Sequence, residues 1–364
     1  MKLAIVGIRG IPNNYGGFET LAEYLSEYLS NEFEITVFCS SVDMNSSLKE
    51  YKGAKLEYIP VSSHGFKGII YDSISLLRAI NRFDFVLFLG FGGGFVTPFL
   101  KKRNKNKLIL NIGGLDWKRD KWSFLAQRVI KTAESLLIKN CRTIISDNTG
   151  IQQYLKLEYN RESIQIAYGG DQANFQPINK NYLQEYPFLG MDYAFTVARI
   201  QSDNNISLIL EAFLKQNTLP IVIVGNWNNS EYGIKLKKKY SGYSQLILLD
   251  AIYDRIKLDV LRSNCTLYIH GHSAGGTNPS LAEAMFLGLP ILAFASGYNE
   301  YTTDQNALYF KNIDELVAYI KQYKSLPLRS IGEKLKYYAE KNYRWSIIAD
   351  KYKQVFLSMP ELLK

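Results

Sequence analysis

The feature that most constrains this chain is the regular alternation of short apolar runs with amphipathic stretches, interrupted once near the middle. Apolar runs recur at 2 to 7, 34 to 39, 84 to 89, 107 to 110 and 142 to 146. Each is too short for a buried helix, and helical patterns separate most of them, which predicts βα units. The first helix is the clearest: Phe18, Leu21, Ala22, Leu25 and Leu29 follow the i, i+3, i+4, i+7 spacing that gathers apolar side chains on one face. After Tyr168-Gly169-Gly170-Asp171 comes a polar, proline-containing stretch to about Gly190, read as a hinge. Alternation then resumes, with strands expected near 193 to 198, 220 to 225, 245 to 249, 265 to 269 and 290 to 294, and helices near 205 to 215, 254 to 262 and 280 to 287. The fold class is therefore α/β, with two Rossmann-like domains built on parallel sheets, whose ligand sites lie beyond the carboxyl ends of the strands. The expected division is 1–170, 171–344 and a C-terminal helix, 345–364, that crosses back to the first domain. Its stripe is Trp345, Ile348, Ala349, Tyr352 and Phe356.

At 364 residues the chain exceeds what one hydrophobic core serves, in keeping with two domains. The opening run Leu3-Ala4-Ile5-Val6-Gly7 is too short for a secretion signal, and no stretch reaches the ~18 to 20 apolar residues that span a bilayer. Cys39, Cys141 and Cys265 lie far apart beside apolar runs and read as buried reduced thiols, which points to the cytoplasm. The net charge of +9, with clusters at Lys101 to Lys107 and Lys118 to Lys121, implies an anionic partner. Nucleic acid, the phosphates of a nucleotide and an anionic membrane surface all satisfy it, as does a solvated basic face.

Three glycine-rich loops fall at strand ends. The first, Gly7-Ile8-Arg9-Gly10-Ile11-Pro12 and on to Tyr15-Gly16-Gly17-Phe18-Glu19, lacks the G-x-G-x-x-G spacing of a dinucleotide fingerprint, which argues against an oxidoreductase. A plain tight turn would read the same way, but Gly16-Gly17 at the mouth of a helix leaves amides for an anion or a sugar hydroxyl. The second loop is Asn111-Ile112-Gly113-Gly114-Leu115-Asp116-Trp117-Lys118-Arg119-Asp120-Lys121-Trp122. Here Asp116 is a candidate for acceptor binding or proton transfer and Lys118 and Arg119 for phosphate, while Trp117 and Trp122 with the nearby cations suit the surface of an anionic membrane. The third runs from His270 to Met285, with Gly275-Gly276-Thr277-Asn278-Pro279-Ser280 ahead of Glu283. Thr277 or Asn278 can cap a helix that starts at Pro279, the amides of Ser280 and Leu281 would receive a diphosphate, and Glu283 would bind a ribose diol. His270 and His272 lack a third ligand nearby, so no metal is expected. Arg199, at the end of the first strand of the second half, can neutralise a diphosphate or serve a structural ion pair.

On these motifs the chain resembles the retaining GT-B glycosyltransferases of family 4, and within them a bacterial branch of rhamnosyltransferases of capsule and cell-wall polysaccharide synthesis. The resemblance implies two domains facing a central cleft, the first on the acceptor side and the second holding the nucleotide sugar. It implies transfer of a hexose or deoxyhexose, L-rhamnose from dTDP-L-rhamnose being favoured, to a saccharide acceptor on a lipid diphosphate at the inner face of the membrane. Neither metal nor cofactor is implied, and nucleic acid is not an implied partner. Carried over by position, Gly16, Gly17 and Arg9 serve the donor, Arg199 the diphosphate, Ser280 and Leu281 its phosphates and Glu283 the ribose. Gly275 stands where the wider family has a first glutamate, Asn204 where it has a lysine five residues after the arginine, and Gly113 where the rhamnosyltransferase branch often has an acid. The missing phosphate cation would then come from Arg9, Lys118 or Arg119, and Asp116 is the nearest carboxylate for a base. A sugar-nucleotide epimerase of the same architecture and a non-catalytic nucleotide- or polysaccharide-binding protein remain as alternative readings.

Overall fold

The computed structural model describes residues 1–12, 16–118 and 122–363, with side chains through residue 359. The chain forms two compact units, one of Met1–Tyr168 with Trp345–Lys364 and one of Gly169–Arg344.

In the first unit the described residues form an eight-stranded sheet: β1 (Lys2–Val6), β2 (Glu34–Ser40), β3 (Glu50–Tyr51), β4 (Ala54–Ile59), β5 (Phe85–Leu89), β6 (Leu108–Ile112), β7 (Thr143–Ser146) and β8 (Ile164–Gln165). Their order is β3-β4-β2-β1-β5-β6-β7-β8, and every pair is parallel except β3 with β4. Central strands read as unbroken apolar runs because helices cover both faces; Leu3 to Val6 and Phe85 to Leu89 are buried throughout. The helix Gly17–Leu29 turns Leu21, Ala22, Leu25 and Leu29 into this core. The helix Trp345–Leu363 completes it, with Ile348, Ala349, Tyr352, Val355, Phe356 and Met359 buried and Trp345 stacked on Tyr24 at 4.3 Å between ring centres.

The second unit holds β9 (Ala194–Val197), β10 (Ile221–Val224), β11 (Leu246–Leu249), β12 (Leu267–His270), β13 (Ile291–Phe294) and β14 (Leu308–Phe310) in the all-parallel order β11-β10-β9-β12-β13-β14. In both units the strand order reverses beside the first strand, between β1 and β5 and between β9 and β12. Crevices at such reversals, past the carboxyl ends of the strands, are where doubly wound sheets bind ligands. The loops leaving β1, β9 and β12 are the ones in which the sequence concentrates glycines, Arg199 and the His270–Asn278 segment. No helix among the described residues is long and apolar enough to cross a membrane.

Candidate functional site

In the second unit the loops after β9 and β12 are laced together. Asn205 Nδ2 donates to Gly271 O at 2.8 Å, and the Ser273 amide and hydroxyl both donate to Asp203 O, at 2.8 and 2.9 Å. Gly271 permits the approach, since a Cβ there would meet Asn204 O at 2.2 Å. Arg199 sits half-buried in this junction, its carbonyl accepting from Asn204 Nδ2 at 2.8 Å. Its guanidinium has no carboxylate partner among the described residues, so the structural ion pair that could have explained it is not present there.

Past β12, Gly275 and Gly276 take φ of 81° and 44°, the left-handed region that disfavours any side chain. Asn278 caps the helix Pro279–Phe286, its Oδ1 accepting from the Ser280 amide at 3.1 Å and the Ser280 hydroxyl at 2.8 Å, while its carbonyl takes the Leu281 amide at 3.0 Å. The two amides that the sequence offered to a diphosphate thus both have an acceptor in Asn278. The N–H groups of Ser280 and Leu281 are taken by the cap, whereas those of Gly275, Gly276 and Asn278 have no acceptor among the described residues. Capping satisfied the first turn locally, leaving the glycine turn ahead of it to present donors.

Glu283 is held from behind. Arg262, fully buried on the helix Arg255–Ser263, pairs with its Oε2 and, at 2.6 Å, with Asp259. Gln172 Nε2 donates to Glu283 Oε1 at 2.5 Å. Burial alone would weaken the Arg262 guanidinium's hold on its proton, but the Glu283 and Asp259 carboxylates more than offset it and raise its pKa. The Tyr168-Gly169-Gly170-Asp171 motif enters here too: a Cβ on Gly170 would meet the Ala282 carbonyl carbon at 2.6 Å and the Glu283 nitrogen at 2.9 Å, so the chain passes against the helix carrying Glu283 only as glycine. Sequence reasoning missed Arg262, Asp259 and Gln172. The available signal was a charged pair, Asp259 and Arg262, flanking Val260 and Leu261 on the buried face of a helix.

In the first unit, Gly16 at φ 139° precedes the helix Gly17–Leu29 with no side-chain cap, and Glu19 in its first turn accepts from the Arg9 amide at 3.3 Å. Asp116, half-buried, opens the short 3-10 turn Asp116–Lys118. A Cβ on Gly113 would meet Tyr168 Oη at 2.7 Å and the Phe18 ring at 3.0 Å, so an acid there would have to displace the outer ends of these two side chains. Trp117 is committed inward: its Nε1 donates to Tyr154 Oη at 3.2 Å and Lys131 lies 4.5 Å from its ring centre. Lys131 also lies over Tyr154 and Tyr159, and Glu134, fully buried, accepts from both tyrosines. The indole therefore anchors the loop to the helices Phe124–Asn140 and Thr149–Tyr159. Trp122 is half-buried, Lys118 is exposed, and Arg119 lies outside the described residues. The basic run also divides: Lys105 bonds Asn140 Oδ1 and Pro98 O, Lys107 bonds Phe83 O, and Lys101, Lys102 and Arg103 are exposed beside Phe99. One further group escaped the sequence reading, Asp72, which accepts from the Gly92 amide at 3.1 Å at the β1/β5 reversal; burial pushes its carboxyl up to about 7.

Residues 184–345 match the family model for glycosyl transferases group 1. The chain carries a group 1 glycosyltransferase domain. Residues 1–171 match a second model, a domain of unknown function (DUF1972). No curated protein matches the sequence. Among solved structures the glycosyltransferase is similar to a sucrose-phosphate synthase of Thermosynechococcus elongatus, at TM-score 0.84 and 15% identity over 99% of both chains. It is similar to Anabaena HepE in complex with UDP-glucose, at 0.76 and 13% over 98% of this chain and 100% of the other. A trehalose-6-phosphate protein from E. coli bound with UDP-2-fluoroglucose gives 0.73 and 12% over 98% and 99%. At such identities the shared property is the fold, GT-B, and the domain match supplies the chemistry, glycosyl transfer.

Proposed function

We propose that this glycosyltransferase moves a hexose or deoxyhexose from a nucleoside diphosphate to a saccharide acceptor with retention of configuration, L-rhamnose from dTDP-L-rhamnose being the favoured donor on the resemblance of its motifs. The observation that carries the donor reading is the pair of loops laced together at the strand-order reversal of the second unit, one with the half-buried, carboxylate-free guanidinium of Arg199 and the other with the unbonded amides of Gly275, Gly276 and Asn278. A cation and unbonded N–H groups are what a departing diphosphate requires, and they stabilise the charge that develops as the glycosidic bond breaks. The nucleotide sugars named with the similar structures agree with that choice of ligand. In this reading Glu283, oriented by Arg262 and Gln172, accepts from the ribose hydroxyls, and the leaving diphosphate takes the acceptor's proton, so no protein base and no metal is required. Gly16, Gly17 and Arg9 serve the donor from the first unit, and Asp116 is the carboxylate for the acceptor.

A lipid-linked acceptor is supported by the exposed Phe99, Phe124 and Leu125 together with exposed Lys101, Lys102, Arg103, Lys118 and Arg128 in the same unit. That combination suits peripheral binding to anionic lipid on the inner face of the membrane, in service of surface-polysaccharide synthesis.

The test is a panel of nucleotide sugars with lipid-linked saccharides, scored for release of nucleoside diphosphate. Acceptor-dependent release supports transfer; conversion of donor without acceptor would establish an epimerase, and binding without release in any combination would establish a binding protein. Arg199→Ala should lower turnover by about a hundredfold or more while leaving the thermal midpoint unchanged. Near-normal turnover would remove Arg199 from the reaction.

A further inference from the structure

The helix Gly65–Ile80 of the first unit has an outward face that the donor site does not use. Its inner face carries Tyr71, Ser75, Leu76, Ala79 and Ile80, all buried. The 3-10 stretch Gly92–Phe99 packs on that side, where a Cβ on Gly93 would meet Leu76 Cδ2 at 3.4 Å. A surface helix ordinarily turns polar side chains to water. Here Phe66, Ile70 and Leu77, at i, i+4 and i+11, form the outward stripe, and they are 75%, 45% and 48% exposed. The one acid of the helix, Asp72, is spent on the Gly92 amide, which it accepts at 3.1 Å. Lys67 and Arg78, each one position past a stripe residue, border the stripe on one side; both are exposed and have no carboxylate partner among the described residues. At the C-terminal end Asn104 Nδ2 donates to Asn81 Oδ1 at 3.0 Å. That bond ties the exposed Lys101, Lys102 and Arg103 to the end of the helix that carries Leu77 and Arg78.

We propose that this face docks on an anionic lipid membrane, with Phe66, Ile70 and Leu77 entering the headgroup region and the bordering cations resting on phospholipid phosphates. This deepens the peripheral-membrane reading, adding a helix to Phe99, Phe124, Leu125 and their neighbouring cations. Apolar side chains along one helix face with Lys and Arg at its border are what an interfacial helix presents. The helix supplies the apolar anchor for which the sequence offered Trp117, an indole committed to Tyr154. A second copy of the chain fits the face poorly. A self-paired contact would set Lys67 and Arg78 against the same cations of the other copy, with no exposed acid on the helix to offset them.

Flotation of the full-length protein with phosphatidylcholine vesicles, and with the same vesicles containing phosphatidylglycerol, tests this without any sugar present. The expected result is binding to the anionic vesicles that weakens as salt is raised, and far less to phosphatidylcholine alone. Phe66→Ser, at a position largely in water, should weaken binding by about tenfold without moving the thermal midpoint. Adding Ile70→Ser and Leu77→Ser should abolish it. Lys67→Glu with Arg78→Glu, which leaves the packing untouched, should weaken it by about thirtyfold or more. Anionic-vesicle binding that survives these changes would overturn the assignment and leave the membrane reading on the other exposed residues. Absence of binding to either vesicle would overturn both, while the transfer reading stands on release of nucleoside diphosphate. A dimer in light scattering that Phe66→Ser turns into a monomer would give the face to a second copy and overturn the proposal.

Discussion

Arg262 offers the sharpest energetic test of how the second unit is held. Its side chain is 2% exposed and pairs with Asp259, 3% exposed, and Glu283, 19% exposed. In Arg262→Leu the volume is largely kept, but two carboxylates lose their shared cation. Among the described residues Asp259 then retains the Asn174 amide and Glu283 retains Gln172. Breaking a buried pair by removing one partner costs about 3–5 kcal/mol, because the remaining charge stays desolvated. For a unit of this size each kcal/mol moves the midpoint by about 2–4 °C, so the expected loss is roughly 6–20 °C. Scanning calorimetry of both proteins measures it. A loss below about 2 °C would refute the claim that Arg262 is a charge clamp rather than packing.

Two further outcomes follow from the geometry. Gly170→Ala places a methyl within 2.6–2.9 Å of helix backbone that cannot yield, so it should destabilise by about 1–3 kcal/mol in urea titration and weaken donor binding through displacement of Glu283. Burial, with His272 adding to it, lowers His270 from 6.5 to about 3, so its contribution to stability is complete above pH 6.5 and is lost as pH falls toward 3. Between pH 6.5 and 5 this amounts to about 2 kcal/mol, and His270→Phe should remove that part of the acid sensitivity.

What the sequence made legible was whatever repeats locally. The apolar runs that became β1, β2, β5, β9, β10 and β12 could be read because strands buried on both faces are unbroken in sequence. Ala54–Ile59 could not, since its lysine and glutamate alternate with apolar residues at the sheet margin, and Glu50–Tyr51, Ile164–Gln165 and Leu308–Phe310 are too short to carry a period. The glycine turns announced their strand ends because positive φ leaves few residue choices. The side chains that orient the site were silent: Arg262 meets Glu283 across 21 positions and Asn204 meets His272 across 68, distances over which no periodicity speaks. Lys105 and Lys107 misled in the other direction, since an ammonium bonded to a carbonyl of its own unit is spelled like one facing water.

The helix Trp345–Leu363 has a consequence for how the protein is made. The first unit is split by the whole of the second, so its hydrophobic interior stays open on one side until the helix Trp345–Leu363 has been synthesised. At about 5–20 residues per second the ribosome needs roughly 10–35 s to make the intervening residues 169–344. Throughout that interval Tyr24, Phe33 and Phe85 lack the Trp345 and Phe356 rings that cover them. The second unit, unbroken in sequence, can finish folding first, and the nascent first half is the part that would need a chaperone's shelter.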